Sequence, residues 1–304
     1  MSELVSVVVI SYNSDKFILE TLESIKIQTF QTIELIISDD FSTDNTIEIA
    51  KKWCEENKFR FSRVEIVVAA KNTGIAANCN QGVKAATGNW VKLIAADDIL
   101  EKNCIQNNIN FVNETPNAKV IYSKVFVFDN ETRFGAEYFP EKFFKKTAKQ
   151  QFFRLCNGRG YFIPSLFIFR EFLLQNGGFD ETFLIEDVPF LMRTVLSGEK
   201  LYGFDKLTVF YRICKQGSAT QTINIKRYND VKRVYNEIIF PQIENHFLLY
   251  LRWKIHFFLI DAKIKNDKRK KFSQFILKIF YKLIVLYYVI LDSFSKDNLE
   301  RWRY

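Results

Sequence analysis

Histidine is almost missing from this chain: among 304 residues only His246 and His256 carry an imidazole, both in the last quarter. Residues 1–245 therefore hold no Ser-His-Asp triad, no Cys-His dyad and no histidine-ligated metal. Cysteine is scarce and scattered. Cys54, Cys79, Cys104, Cys156 and Cys214 are odd in number, lie at least 25 residues apart and form no C-x-x-C pair, which argues against a zinc cluster or a disulfide framework and fits a reducing cytosol. Proline (5) and glycine (11) are few, and neither a Pro/Gly-rich linker nor an internal repeat is visible. A secretory signal is not expected either, because Met-Ser-Glu runs straight into Val5 to Ile10 without a basic region, a longer apolar segment or a small-residue cleavage site. Chemistry in the body is left to carboxylates, amides and hydroxyls.

Charge is present but unevenly placed. Residues 226–304 carry 17 Lys/Arg against 8 Asp/Glu, a balance of +9, whereas residues 1–225 carry 26 against 27, a balance of −1. A near-neutral body is no electrostatic footprint for nucleic acid, and no nucleic-acid motif accompanies the basic tail.

The body alternates short β-branched runs with helical stretches, the sign of βαβ units and a mainly parallel α/β sheet. Leu4 to Ser11 predicts a strand buried on both faces. Asp15 to Thr29 predicts a helix, with Ile18, Leu19, Leu22 and Ile25 at spacings of three and four and Asn13 or Ser14 as its cap. Ile33 to Ser38, Val64 to Ala69 and Trp90 to Ala95 predict further strands. A helix capped by Ser42, Thr43 and Asp44 follows the first of these, and a helix over Gly74 to Ala86, ended by Gly88, follows the second. Later strands are expected at Lys119 to Phe128 and Ser165 to Phe169, and a helix from Asp187 to about Gly198. The doublets Asp39-Asp40 and Asp97-Asp98 thus fall just past strand C-termini, the edge where open α/β sheets bind ligands.

Seven strings in order carry more than any one of them. Val7-Val8-Val9-Ile10-Ser11-Tyr12-Asn13, Ser38-Asp39-Asp40-Phe41-Ser42-Thr43-Asp44, Asn72-Thr73-Gly74, Asp97-Asp98-Ile99-Leu100, Gly177-Gly178-Phe179-Asp180-Glu181, Glu186-Asp187 and Tyr211-Arg212 resemble glycosyltransferase family 2, the inverting nucleotide-sugar transferases with the GT-A fold. The resemblance spans roughly residues 4–220 and implies a catalytic domain over 1–225. Its nucleotide-binding half would be 1–100 and its acceptor-binding half 101–225.

By that resemblance Asp40 accepts a hydrogen bond from the uracil of a UDP-sugar, with Ser11, Tyr12 and Asn13 lining the pocket and Asn72, Gly74 and Asn80 in the loop around the nucleotide. A carboxylate suits an imide N–H because charge-assisted hydrogen bonds are the stronger kind. Asp97 and Asp98 match the end of the family's D-x-D motif for ribose and a divalent cation, Mg²⁺ or Mn²⁺, although Ala95 stands at the first acidic position. Asp187 corresponds to the general base, placed at the positive end of a helix dipole, with Glu186, Tyr161 and Arg159 as acceptor-side contacts. Arg212 resembles a residue near the diphosphate, while the histidine usual just beyond it is replaced by Cys214 and Lys215. Cys79 stands where many members have a basic residue. Each acid also has a plainer reading: Asp39 and Asp40 as turn and capping residues, Asp97-Asp98 as a solvated turn, Asp187 as an N-cap.

The resemblance therefore implies a metal-dependent transfer of one sugar from a UDP donor to a glycan or lipid-linked hydroxyl in surface polysaccharide biosynthesis. The loss of an acid at Ala95 motivates an alternative, a non-catalytic nucleotide- or glycan-binding scaffold of a membrane assembly complex. Residues 226–304 are expected to be helical. Two aromatic stretches, His246 to Ile264 and Phe272 to Leu291, are broken by Arg252, Lys254, Lys278 and Lys282, so neither makes a clean span of roughly 18 to 20 residues. Their pattern is that of helices lying in a membrane interface, which implies a cytoplasmic protein held peripherally at the inner face of the membrane through 246–291. Packing on the catalytic domain or on a second subunit, as in a homodimer, is the alternative for the same faces.

Overall fold

The computed structural model describes residues 3–129, 135–156, 163–213, 225–264 and 281–282. The chain divides after Asp230 into two compact units. In the first, β1 (Val5–Ser11), α1 (Ile18–Lys26), β2 (Ile33–Asp39), α2 (Thr46–Asn57), β3 (Arg63–Val68), α3 (Ile75–Ala85) and β4 (Trp90–Ala95) alternate as the sequence pattern predicts. The short β5 (Ile99–Leu100) and α4 (Cys104–Glu114) follow, then β6 (Val120–Phe128), β7 (Gly135–Tyr138), α5 (Glu141–Phe144), α6 (Ala148–Cys156), β8 (Phe167–Phe169), α7 (Arg170–Gln175), α8 (Asp187–Leu196) and β9 (Leu201–Arg212).

These nine strands form one sheet in the order β3-β2-β1-β4-β8-β6-β9-β5, with β7 paired to β6. β1 pairs in parallel with β2 and with β4, so strand order reverses between β1 and β4 and the chain leaves both at the same edge. Central placement explains the composition of β1: Val5, Val7, Val8 and Val9 are fully buried, as a strand covered on both faces requires. Beyond β4 the sheet becomes mixed, because β8 runs antiparallel to both β4 and β6.

Two local expectations are corrected. Asn13 and Ser14 do not cap α1 with their side chains; the helix begins at Ile18, and the Ser14 carbonyl takes the N–H groups of Phe17 and Ile18. The Asn13 side chain instead accepts the N–H of Thr43 at 2.8 Å, which joins the loop after β1 to the loop after β2. Gly88 is not a left-handed helix cap. A Cβ there would lie 2.6 Å from Ser6 Oγ and 2.7 Å from the Leu4 carbonyl oxygen, so glycine permits a close backbone approach. Its N–H donates at 2.9 Å both to Ser6 Oγ and to the buried Glu34. Burial alone would raise the Glu34 carboxyl, but hydrogen bonds from Ser6, Thr87 and Gly88 outweigh it and hold the group below its ordinary range.

Lys92 lies in β4 with no exposed surface, and its Nζ donates to the carbonyl oxygens of Pro164 (2.5 Å) and Leu166 (3.4 Å). The turn at Ile163–Ser165, which leads into β8, is thereby tied to the centre of the sheet by a buried cation.

α9 (Ile225–Val234) leads into the second unit, which continues through a π-helical turn at Tyr235–Ile239 to α10 (Phe240–Ile243) and α11 (Phe247–Ile264). Within that unit Tyr235 meets the rings of Trp253 and Phe257, and Phe240 meets Tyr250, so much of the aromatic content of α11 is used in packing. No helix among the described residues is long and apolar enough to cross a membrane. Most of the stretch from Phe272 to Leu291 lies outside the described residues.

Candidate active site

The site is built where β1, β2 and β4 end. Asp39 closes β2, is fully buried, and accepts from Ser11 Oγ (2.8 Å), the Ser42 N–H (2.7 Å) and Ser42 Oγ (2.6 Å). Asp40, one residue on, points elsewhere: Oδ1 accepts from the N–H (2.6 Å) and hydroxyl (2.8 Å) of Thr73, and Oδ2 from the N–H of Gly74 (2.8 Å). A carboxylate offers about four acceptor positions, so these three bonds leave Asp40 able to accept one more donor. Gly74 has φ +92°, a backbone that glycine adopts without penalty, and it opens α3. Asp40 is thus bonded directly to Gly74 and, through its N–H, to the Ser11 carbonyl, while Asn13 bonds to Ser42 and Thr43, and Tyr12 and Asn72 are exposed. Asn80, further along α3, spends its amide on the Phe179 carbonyl, the Glu181 carboxylate and the Phe179 N–H, all at 2.8 Å, and so holds the Gly177–Glu181 loop.

At the end of β4 the two acids are divided by burial. Asp98 is buried; Oδ1 accepts the Arg212 backbone N–H at 2.9 Å, and Oδ2 has no hydrogen-bond partner. Burial, reinforced by the Asp97 charge, pushes its carboxyl well above the usual range. Asp97 is half-buried, and burial raises it too, against the pull of the Arg212 charge. Arg212 Nε donates to the Asp97 carbonyl at 2.7 Å, another of its nitrogens pairs with Glu20, and the guanidinium lies 4.6 Å and 4.8 Å from the ring centres of Phe17 and Phe128. Arg212 therefore clamps the turn that carries both acids to the end of β9. Glu20 and Phe17 were missed as members of this cluster, because only the fold brings α1 beside β9.

No group of three or more His, Cys, Asp and Glu side chains that could hold a metal occurs among the described residues. Asp97 and Asp98 still fit a hard divalent cation of the Mg²⁺ or Mn²⁺ kind, which uses one or two carboxylates and fills its remaining positions with phosphate oxygens and water. The buried, unpartnered Oδ2 of Asp98 is the atom that fits such an ion.

Asp187 begins α8, and its Oδ1 accepts the Val188 N–H at 2.7 Å. Its charge acts on the buried Tyr122 hydroxyl of β6, and the Glu186 charge acts on the buried Cys79 thiol of α3. Asp230 of α9, which sequence reasoning left unassigned, is buried and accepts the N–H groups of Leu184 (2.6 Å) and Ile185 (3.2 Å), directly before Glu186-Asp187. Arg159 and Tyr161 lie outside the described residues, as do Cys214 and Lys215.

The family model "Glycosyl transferase family 2" matches residues 6–178, more than half of the chain. The chain belongs to glycosyltransferase family 2. The matched span includes the Asp40 and Asp97-Asp98 turns and stops short of Asp187 and Arg212. Glycosyltransferase GlyG of Streptococcus pneumoniae is 29% identical over 250 residues, 79% of this chain and 80% of GlyG. The poly(ribitol-phosphate) beta-N-acetylglucosaminyltransferase TarS of Staphylococcus aureus is 27% identical over 218 residues, 70% of this chain but 36% of TarS. Among solved structures, TarS 1-349 in complex with UDP-GlcNAc superposes with a TM-score of 0.59 at 17% identity, over 99% of this chain and 94% of that one. The mannosyltransferase PcManGT of Pyrobaculum calidifontis, in complex with GDP-Man and Mn²⁺, gives 0.54 at 18% identity, over 71% and 59%. At those identities the superpositions establish the fold, which is that of the GT-A glycosyltransferases.

Proposed function

We propose that this family 2 glycosyltransferase moves one sugar, with inversion, from a UDP-sugar to a hydroxyl of a glycan or lipid-linked acceptor in surface polysaccharide biosynthesis, with Mg²⁺ or Mn²⁺ bound. The observation that carries the reading is the pair Asp97-Asp98 at the end of β4, clamped by Arg212 and left with an unpartnered carboxylate oxygen. Asp97, with Asp98 behind it, would hold the cation, which when bound supplies Lewis-acid neutralisation of the leaving diphosphate. Asp40 keeps the Thr73-Gly74 loop in place and offers its remaining acceptor position to the uracil N–H. Tyr12 and Asn72, both exposed, are assigned to the same pocket.

Asp187 is the general base. At the N-terminus of the ten-residue α8, held by the bond from Val188, it takes the proton of the acceptor hydroxyl. The acceptor oxygen forms its bond to the anomeric carbon as the bond to the diphosphate breaks, so a single displacement inverts that centre. Glu186, Tyr161 and Arg159 are assigned to the acceptor side. The names of GlyG and TarS support the transferase class, and the UDP-GlcNAc bound by TarS supports a UDP donor. Peripheral attachment to an anionic bilayer through 246–291 completes the proposal. Exposed Phe247 and Phe258 support it, and failure of the full chain to sediment with phosphatidylserine-containing vesicles at low salt would remove that part.

Thermal-shift measurements with UDP-, GDP- and dTDP-sugars, with and without Mn²⁺, test the donor. Stabilisation by UDP-sugars that requires Mn²⁺ is expected, and a response to GDP compounds alone would remove the uracil role of Asp40. Asp187→Asn is expected to keep UDP binding and lose transfer; a variant that transfers at the wild-type rate would sink the assignment of the base. UDP binding by the wild-type chain without turnover on any acceptor would favour the scaffold instead.

A further inference from the structure

Among the described residues, two that are not glycine have left-handed backbone: Asn13 at φ 49° and Phe41 at φ 66°. Asparagine visits that region readily, whereas a bulky residue there is an outlier. Both sit in the loops at the C-terminal ends of β1 and β2, and the two loops are stapled together. The Asn13 N–H donates to Ser42 Oγ at 2.8 Å, Asn13 Oδ1 accepts the Thr43 N–H, and Asp39 accepts the Ser42 N–H. The conformation of residue 41 is therefore imposed by its neighbours and does not depend on which side chain it carries. The Asp40 N–H also donates to the Ser11 carbonyl at 2.9 Å, which fixes Phe41 next to the Asp40–Gly74 contact.

Among the described residues, no ring stacking or cation contact engages the side chain that this backbone carries. Phe41 is 47% exposed and Tyr12 is 48% exposed, and the two do not stack on each other. Position 41 thus combines an unfavourable backbone with a large apolar surface in water. Glycine or asparagine would avoid both. Strain and exposure coinciding at the edge where strand order reverses point to a ligand.

We propose that Phe41 is a stacking residue for the planar base of the donor nucleotide. The inference rests on the donor-site reading above and adds to it a second kind of base contact, through the ring face, beside the edge contact of Asp40. Stacking on an aromatic ring serves any base, because every base has a π face. Phe41 would therefore supply affinity while Asp40 supplies selection.

The test uses the full-length chain with Phe41→Gly and Phe41→Tyr, and calorimetric titration with Mn²⁺ plus either UDP or inorganic pyrophosphate. Loss of one base–aromatic stack weakens binding by roughly five- to a hundred-fold. Phe41→Gly is expected to weaken UDP by about tenfold or more and to leave pyrophosphate unchanged. Phe41→Tyr is expected to bind UDP as wild type does. With the backbone penalty removed, the ligand-free Phe41→Gly protein should melt about 2–4 °C higher. Equal UDP affinity in Phe41→Gly and wild type would overturn the inference and leave the donor site standing. A parallel loss of pyrophosphate binding would also overturn it, because the loop rather than the ring would then be at work. A wild-type chain that binds no UDP would sink the donor-site reading and this inference together.

Discussion

Arg212→Met tests whether the clamp on the Asp97-Asp98 turn is what holds the two acids in place. The guanidinium is nearly inaccessible and lies between Phe17 and Phe128, so its two ring contacts are of the desolvated kind, each about 1–2 kcal/mol. Its Nε–H bond to the Asp97 carbonyl is charge-assisted and adds about 1.5–3 kcal/mol. The pair with Glu20 adds little, because the Glu20 side chain is half in water. Methionine fills part of the space between the rings and recovers some packing. The net expectation is a loss of about 3 kcal/mol, read as a lower urea midpoint with an unchanged m-value. A second effect follows from charge. Arg212 opposes the burial that raises the Asp97 and Asp98 carboxyls, so its removal lets both rise further. The thermal shift produced by Mn²⁺ with UDP should therefore shrink, and recover as the pH is raised. Arg212→Lys keeps the charge but loses the planar fork, so its Mn²⁺ response should lie between the other two. If Arg212→Met came within 1 kcal/mol of wild type with an unaltered Mn²⁺ response, the clamp would be an incidental contact.

Two further outcomes follow from buried groups. Burial lowers Lys92 from 10.5 to about 8, so between those values the unfolded chain holds the proton that the folded chain has released. Folding stability relative to Lys92→Met should then rise with pH from 8 to 10.5, by roughly 3 kcal/mol at most; urea midpoints of the two proteins moving in parallel over that window would contradict it. Asp230→Ala leaves the N–H groups of Leu184 and Ile185 without their carboxylate, and the segment entering Glu186-Asp187 loosens. Single-turnover transfer should fall tenfold or more while UDP affinity holds, whereas loss of both in proportion would mark Asp230 as a contributor to general stability only.

The strands were legible because their chemistry is local. Val5 to Ile10 and Trp90 to Ala95 carry apolar residues on both faces, broken only by Ser6 and Lys92, as strands covered on both faces do. The acids at the strand ends were legible for a similar reason: their distance from the last buried residue places them at the ligand edge whatever else the chain does. Helix starts were less legible. Asn13 and Ser14 are good capping residues by type, yet Asn13 is taken by Thr43, thirty residues away, and α1 begins without a side-chain cap. The partners of Arg212 lie further off still, with Glu20 separated from it by 192 residues. Lys92 reads in sequence as one polar residue in an apolar strand, and its carbonyl partners before β8 exist only once the sheet has formed. Asp230 sits in a stretch whose composition pointed to a basic appendage, so its bond to the segment before Asp187 had no local sign.

The two aspartate doublets share a physical logic that explains why the scaffold-bound member of each, Asp39 and Asp98, is acidic. Side chains of consecutive residues leaving a strand point in different directions, so two adjacent carboxylates take different hydrogen-bond partners in the scaffold. In the first doublet Asp39 is consumed by Ser11 and Ser42, which joins the ends of β1 and β2, while Asp40 reaches across to the Gly74 loop. In the second, Asp98 turns inward to the backbone of β9, while Asp97 stays half-exposed. One member of each pair thus binds the scaffold so that the other is held at the edge with little freedom. A neutral amide at Asp39 or Asp98 could still accept one bond, but it would bring N–H donors to a position whose neighbours are donors: the Ser42 N–H in one case, the Arg212 N–H in the other. Burial of an acid at Asp98 costs stability, as its raised carboxyl shows. That cost is the consequence of building a rigid acidic edge from a sheet that supplies no histidine.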